Sequence, residues 1–305
     1  MRVAILSASA GWHVDELCAA LRARGHEVAV ASYEGLVASM GRSRDRHSSL
    51  SSEQASLLDA DVVLPRIIPH GSLEQIIFRV NALHWVESRG TLVMNSPRAI
   101  ERSVDKFYAS ALIEEAGLLV PETVVCERPE DALAATRTMG DVIFKPLFGS
   151  MGRGMVRVSD PDMAFRVARG LEELRAVFYV QRVIAHQGRD IRAFVIGGRV
   201  IGAIERLAPS GDWRTNVARG GTARPVDLPA AWTDAAIRAA AAVGTDYAGV
   251  DLLPALDGRL YVLEVNGIPG WQGLQDATGI PVATAIVEHM ETVPVRRVNN
   301  ASVRA

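Results

Sequence analysis

Three oxygen-bearing side chains near the C-terminal end could do chemistry together: Asp251 in YAGVDLL, and Glu264 and Asn266 in LYVLEVNGIPGW. Both runs are otherwise almost wholly apolar, as buried strands are. Asp257-Gly258 between them is a two-residue hairpin signal. With those two residues as the loop, Leu256 pairs with Arg259 and Leu252 with Leu263. Asp251 then stands opposite Glu264, and Asn266 shares their face. Two carboxylates facing each other in an apolar strand pair repel, and burial compounds the cost. A divalent cation between them relieves both, while an arginine paired with one carboxylate is the competing explanation. All-oxygen donors suit Mg²⁺ or Mn²⁺ rather than zinc, and Mg²⁺ commonly completes its shell with substrate phosphates.

A second feature, FKPLFGSMGRGMVRV, carries Gly149, Gly152 and Gly154 with Ser150 among them. Its flanks are strand-like on both sides, so it reads as a glycine-rich hairpin. Neither a Walker A loop nor a dinucleotide loop fits, because each must open a helix. Such a hairpin can lay backbone N–H groups on phosphates, and Lys145 on the entering strand can add a charge-assisted contact. Taken alone, an exposed turn with a surface lysine explains it equally well. Beside an Mg²⁺-type oxygen cluster, it points to a nucleoside triphosphate.

These groups need a frame. VAILSA, HEVAVASY, DADVVLPRI and TLVMNSP read as strands, with helices at VDELCAALRARG and SLEQIIFRVNALHWVESRG, so residues 1–95 form an α/β lobe on a parallel sheet. SASAGWH follows the first strand with one glycine where the dinucleotide fingerprint needs three, so the lobe is Rossmann-like without being the nucleotide site. The polar run GRSRDRHSSLSSEQ reads as an exposed loop. A helical segment, RAIERSVDKFYASALIEEAG, leads into an α+β region at 96–185, followed by a lobe at 186–293 and a polar tail at 294–305.

Composition sets limits. A chain of 305 residues exceeds the usual single domain, so two or three lobes are expected. With 33 Lys+Arg against 35 Asp+Glu, nothing suggests the basic stripe that nucleic acid requires. Cys18 and Cys126 lie far apart and read as thiols, not as a disulfide framework or a zinc site. No run approaches the ~18 unbroken apolar residues of a membrane helix, and the N-terminus reads as a strand rather than a signal peptide. A cytoplasmic location with no membrane partner follows.

From about Ser96 to His289 these motifs, in order, resemble the ATP-grasp superfamily, specifically the RimK-like carboxylate–amine ligases. The resemblance implies an ATP-grasp fold, α/β with α+β lobes, behind an N-terminal pre-ATP-grasp lobe. It implies that Lys106 in VDKFYASALIEEAGLLVPET and Lys145 approach the phosphates, with the loop from Gly149 to Gly154. Gln181 and Arg182 in VQRVI would lie in the linker that meets the adenine. In GRDIRAFVIGGRVIGAIERL, Asp190 would bind the ribose, and Arg192 and Arg206 would line the phosphate and acyl site. WRTNVARGG would supply Arg214, Thr215 and Asn216 to ATP and Arg219 to the reacting acid. Asp251, Glu264 and Asn266 become metal ligands, for two ions.

The implied reaction activates an acid as its acyl phosphate, with Arg206 and Arg219 holding the reacting group. An amine, that of L-glutamate, then displaces phosphate. Ala218 stands where the ribosomal-protein modifier has a histidine, and Ile268 replaces the usual small polar residue, which argues against a ribosomal-protein acceptor. PRIIPHGSLEQIIFRVNALHWVESRG, SPRAIERSVDK and EVNGIPGW are similar to the RimK-like ligases of tetrahydromethanopterin metabolism, which glutamylate a pterin's acidic side chain. Arg66 and His70 could contact that acid. A different amino acid, a peptide acceptor and an ATP-binding sensor without turnover are the alternatives, and a homo-oligomer stays open.

Overall fold

The computed structural model describes residues 1–41, 48–53, 55–149, 152–209 and 222–295. In the N-terminal lobe the described elements are β1 (Arg2–Ser7), α1 (Trp12–Ala23), β2 (Glu27–Ser32), β3 (Leu36–Ser39), β4 (Ser49–Ser52), β5 (Ala55–Ser56), β6 (Val62–Pro65), α2 (Leu73–Ser88) and β7 (Leu92–Val93). A parallel sheet runs β2-β1-β6-β7. Helix α1 buries Val14, Leu17, Cys18 and Leu21, the i, i+3, i+4, i+7 stripe its sequence predicts. Ser72 and Gln75 form a capping box that starts α2.

The polar run after Met40 departs from expectation. Residues 42–47 and 54 lie outside the described part, but Ser49–Ser52 form β4 between β3 and β5 in a small antiparallel sheet. Leu50, fully buried among Ala31, Tyr33 and Leu36, anchors it. One apolar side chain in a serine-rich stretch was enough to bury the strand, and local composition hid it.

The expected single helix after Pro97 is two: α3 (Pro97–Val104) and α4 (Lys106–Glu115). Extended Asp105 breaks them and caps α4, its Oδ1 accepting from Phe107 N at 2.9 Å and Tyr108 N at 3.1 Å. Then come β8 (Thr123–Cys126), α5 (Pro129–Met139), β9 (Val142–Lys145), β10 (Val156–Val158), α6 (Pro161–Glu173) and β11 (Phe178–Arg182). They make an antiparallel sheet, β10-β9-β11-β8, whose core packs Phe144, Phe178 and Val180 against α5 and α6.

The third unit comprises β12 (Arg189–Ile196), β13 (Arg199–Leu207), β14 (Thr222–Pro225), α7 (Ala230–Val243), β15 (Tyr247–Pro254), β16 (Leu260–Asn266), α8 (Gln272–Thr278) and α9 (Val282–Thr292). Its antiparallel sheet runs β14-β13-β12-β15-β16. The alanine-rich face of α7 covers one side. On the other side, Phe194, Ile196, Tyr247, Trp271, Ile286 and Met290 share one core with Val3, Ile5, Leu17, Leu21 and Leu64. The first lobe and the third unit are therefore fused through a common apolar layer. Asn95 adds polar ties, donating to Tyr247 O at 2.8 Å and Gly267 O at 2.6 Å.

Candidate active site

The β15/β16 hairpin brings Asp251 opposite Glu264, with Gly249 opposite Asn266. The route there differs from the sequence-based count. Ala255 N donates to Arg259 O and Gly258 N to Ala255 O, so the loop has three residues and Gly258 sits at φ +83°. A type I turn closed by a left-handed glycine accounts for that geometry. Leu252 consequently pairs with Val262, not Leu263. A register shift between Asp251 and Leu252 then restores the carboxylate pair.

The neighbouring strand adds what no local motif revealed. Arg192 on β12 stands opposite Asp251, and Asp190 stands opposite Arg206 on β13. Arg192 Nε and Nη2 donate to Asp251 Oδ1 and Oδ2 at 2.7 and 2.8 Å. Arg206 donates to both Asp190 oxygens at 2.7 Å and lies 2.8 Å from Asp251 Oδ2. Acid and base thus alternate along one face of the sheet, ending at Glu264, whose Oε1 is 3.6 Å from Arg192 Nη2. The arginine explanation applies to Asp251, which is paired with Arg192 and Arg206, while Glu264 is held less closely.

The electrostatics follow. Burial alone would raise the Asp251 pKa, but Arg192 and Arg206 outweigh it and hold the carboxyl below the usual range. Burial also opposes the charged form of Arg206, yet Asp251 and Asp190 keep it protonated. Glu264 moves the other way, pushed up by burial and then by the charge of Asp251. Deep in the protein, its side chain still keeps 42% of its surface accessible because it faces a cleft.

That cleft spans about 1030 Å³, open mouth included, between the β10-β9-β11-β8 sheet and the five-stranded sheet. Asp190, Arg206, Asp251 and Glu264 line one wall, and Lys106, Lys145, Gly149, Gly152, Gln181 and Arg182 belong to the rest of the lining. β9 and β10 pair antiparallel around the glycine loop, as its flanks predict. Gly152 and Gly154 adopt φ +64° and +72°, where a side chain would be strained. Lys106 Nζ donates to Gly149 O at 2.9 Å and Leu147 O at 3.3 Å. Burial lowers the pKa of both lysines, that of Lys145 to about 8, with the charge of Lys106 contributing and that of Glu264 opposing. Two half-buried cations under-supplied with anions suit phosphate binding.

Other expected site residues already have protein partners or lie away from the cleft. Arg182 binds Glu122 and Met139 O, while Gln181 turns its amide to Lys145. Arg66 does not line the cleft. It is a strut, 3% exposed, donating to Pro269 O at 3.0 Å with its guanidinium 4.7 Å over Trp271. His70 is exposed, and its backbone carbonyl accepts from Arg79. Ser150, Arg214, Thr215, Asn216 and Arg219 lie outside the described residues. Sequence reasoning missed Thr123, Tyr179 and Ser110 behind Lys145, and His13 against Trp271. None of these stands in a spaced motif.

Among the described residues no cluster of three His, Cys, Asp or Glu side chains gathers. The candidate metal set is two carboxylates and an amide, and its all-oxygen chemistry fits a hard divalent cation. Glu264 favours a nearby positive charge. Asn266 Oδ1 accepts from Ile268 N at 3.1 Å, and Asp251 already accepts from two arginines, so both would share their oxygens.

Comparison with known proteins agrees with this architecture. A RimK pre-ATP-grasp domain model matches residues 1–100, and a RimK-like ATP-grasp domain model matches residues 103–290. The tetrahydromethanopterin:alpha-L-glutamate ligase of Methanosarcina acetivorans is 37% identical, covering 81% of this chain and 87% of that protein. A "probable alpha-L-glutamate ligase" of Stenotrophomonas maltophilia is 34% identical over 95% of this chain and 98% of its own length. The ATP-grasp ligase PsnB, solved with a phosphomimetic variant of a minimal precursor, Mg and ADP, superposes with a TM-score of 0.70 at 23% identity, covering 95% of this chain and 97% of that one. Among the described residues no helix is long and apolar enough to cross a membrane. Matched along nearly its whole length, the chain belongs to the RimK-like ATP-grasp family and is an ATP-dependent ligase.

Proposed function

We propose that the protein joins L-glutamate to the carboxylate of a small acidic acceptor of the tetrahydromethanopterin type, through an acyl phosphate. The observation that carries this reading is the cleft in which Lys106 and Lys145 line the same cavity as Asp251 and Glu264. ATP would lie between the glycine hairpin and the β15/β16 hairpin. Loop N–H groups and the two lysines would bind its phosphates. Asp251, Glu264 and Asn266 would hold Mg²⁺, as two ions, supplying charge neutralisation to the phosphates.

The acceptor carboxylate attacks the γ-phosphate and ADP leaves. The amine of glutamate then attacks the acyl carbon, the C–N bond forms, and phosphate departs with the acyl C–O bond. Arg206, which lines the cleft and stays protonated between its two aspartates, would stabilise the negative charge that develops. The acceptor is argued from the 37% identity to the tetrahydromethanopterin ligase. A peptidic acid is the second reading, favoured by the fold shared with PsnB, which is solved with a precursor.

The test is purified protein with ATP, Mg²⁺ and L-glutamate against a panel of acidic pterins and peptides, read by ADP release and product mass. Expected is the mass of one or more glutamyl residues on a pterin acid. Glutamylation confined to peptides would favour the second reading. Turnover only with other amino acids would refute the glutamate assignment.

A further inference from the structure

Behind Lys145 lies a closed polar network that no phosphate or metal assignment uses. Gln181 is 2% exposed on β11, and its Oε1 accepts from Lys145 Nζ. Its Nε2 donates to Thr123 Oγ1 at 2.9 Å and to Tyr179 Oη at 3.2 Å. Tyr179, also 2% exposed, meets Ser110 Oγ at 3.0 Å. Ser110 lies one helical turn beyond Lys106 on α4, so the chain of bonds runs from one phosphate lysine to the helix bearing the other.

The network fixes the orientation of the amide. Flipping Gln181 would set its NH₂ against the lysine ammonium, donor against donor, and present its oxygen to Thr123 and Tyr179 instead. In the observed orientation both amide hydrogens are spent on hydroxyl oxygens. No side-chain N–H of Gln181 remains for a purine ring, although Gln181 belongs to the segment expected to meet the adenine.

We propose that Gln181 is a positioning residue for Lys145, holding the ammonium at a fixed place on the cleft wall where it meets the nucleotide phosphates. Thr123 and Tyr179 lock the amide that does the holding. This rests on the reading that nucleotide phosphates lie against Lys145. A buried, flexible lysine stem otherwise has several rotamers, so the amide lowers the ordering cost of each phosphate contact.

The test is titration calorimetry of ADP and of adenosine, in EDTA so that divalent ions play no part. The proteins are wild type, Gln181→Met, Tyr179→Phe, Lys145→Met and the Lys145→Met/Gln181→Met double variant, each checked for native circular dichroism. Gln181→Met is expected to weaken ADP by about tenfold or more, the scale of a hydrogen bond to a charged group, and to leave adenosine within about twofold. In the Lys145→Met background the same change is expected to cost almost nothing further. Tyr179→Phe is expected to weaken ADP by about two- to fivefold with adenosine unchanged, and it decides the matter if Gln181→Met does not fold. Equal losses for ADP and adenosine would instead make the glutamine a purine contact. Independent losses in the double variant would also overturn the assignment. Wild-type protein that binds no ADP overturns the nucleotide reading and this one together, whereas wild-type binding unaffected by either substitution overturns only the positioning role.

Discussion

His13 makes the fold sensitive to acid. Its ring stacks edge-on against Trp271 at 4.6 Å, and its Nε2 accepts from Trp271 N at 3.1 Å. Burial, then the charge of Arg66, lowers its pKa from 6.5 to about 4, with Glu16 opposing. Below pH 6.5 the unfolded chain therefore binds a proton that the folded chain refuses. The stability involved is intact above about pH 6.5 and is lost as the pH falls towards 4. Full linkage would remove about 2 kcal/mol at pH 5, and screening at a half-buried ring brings the expected loss to about 1 kcal/mol. His13→Gln tests this, since its amide oxygen can accept from Trp271 N but never takes up a proton. Urea unfolding, followed by circular dichroism at pH 7.5, 6 and 5, should show the variant less stable at pH 7.5 and level with wild type by pH 5. His186, whose pKa burial also lowers, is present in both proteins and cancels. A stability gap that stays constant across the three pH values would refute the reasoning.

Asp251→Asn and Glu264→Gln should each lower turnover by about 10³ or more while the protein stays folded, because each removes an oxygen charge from the proposed metal set; near-normal activity in both would sink it. Metal-free ADP affinity should fall as pH rises through about 8, where Lys145 loses its proton, and Lys145→Arg should move that limb upward; titrations from pH 7 to 9.5 read it. Arg66→Met should cost about 2–4 kcal/mol of stability, measured by denaturant unfolding, and leave the KM for the acid acceptor unchanged, as befits a strut rather than a substrate contact. A raised acceptor KM with unchanged stability would return Arg66 to the acid site.

Much of the fold and part of the site can be read from residue order, and the limits have physical causes. Helical periodicity locates α1 and the start of α2, and alternation with helices implies the parallel sheet. Asp251 opposite Glu264 follows from counting across one turn only because a loop one residue longer and a bulge at the strand middle cancel. Arg192 and Arg206 as partners of Asp251 depend on which strands lie side by side, a non-local fact that no window of sequence carries. The same holds for Gln181, whose amide is claimed by Thr123, 58 residues away. In sequence, Arg66 in PRIIPHG reads as a candidate contact for the acid. Only packing against Trp271 reveals a strut.

The apolar layer shared by the first lobe and the five-stranded sheet has a mechanical consequence. It makes those two units one anvil, carrying Asp190, Arg192, Arg206, Asp251 and Glu264. α4 rests on the same body through Ala109 and Ile113, so Lys106 belongs to the anvil as well. The β10-β9-β11-β8 sheet, with its own separate core, is the hammer that carries Lys145, Gln181 and the glycine loop. Lys106 reaching Gly149 O and Leu147 O, and Ser110 meeting Tyr179, are points where anvil side chains grip the hammer. A swing of the hammer away from the anvil would separate the two lysines and release these grips together, so a single rigid displacement would assemble or dismantle the proposed phosphate seat.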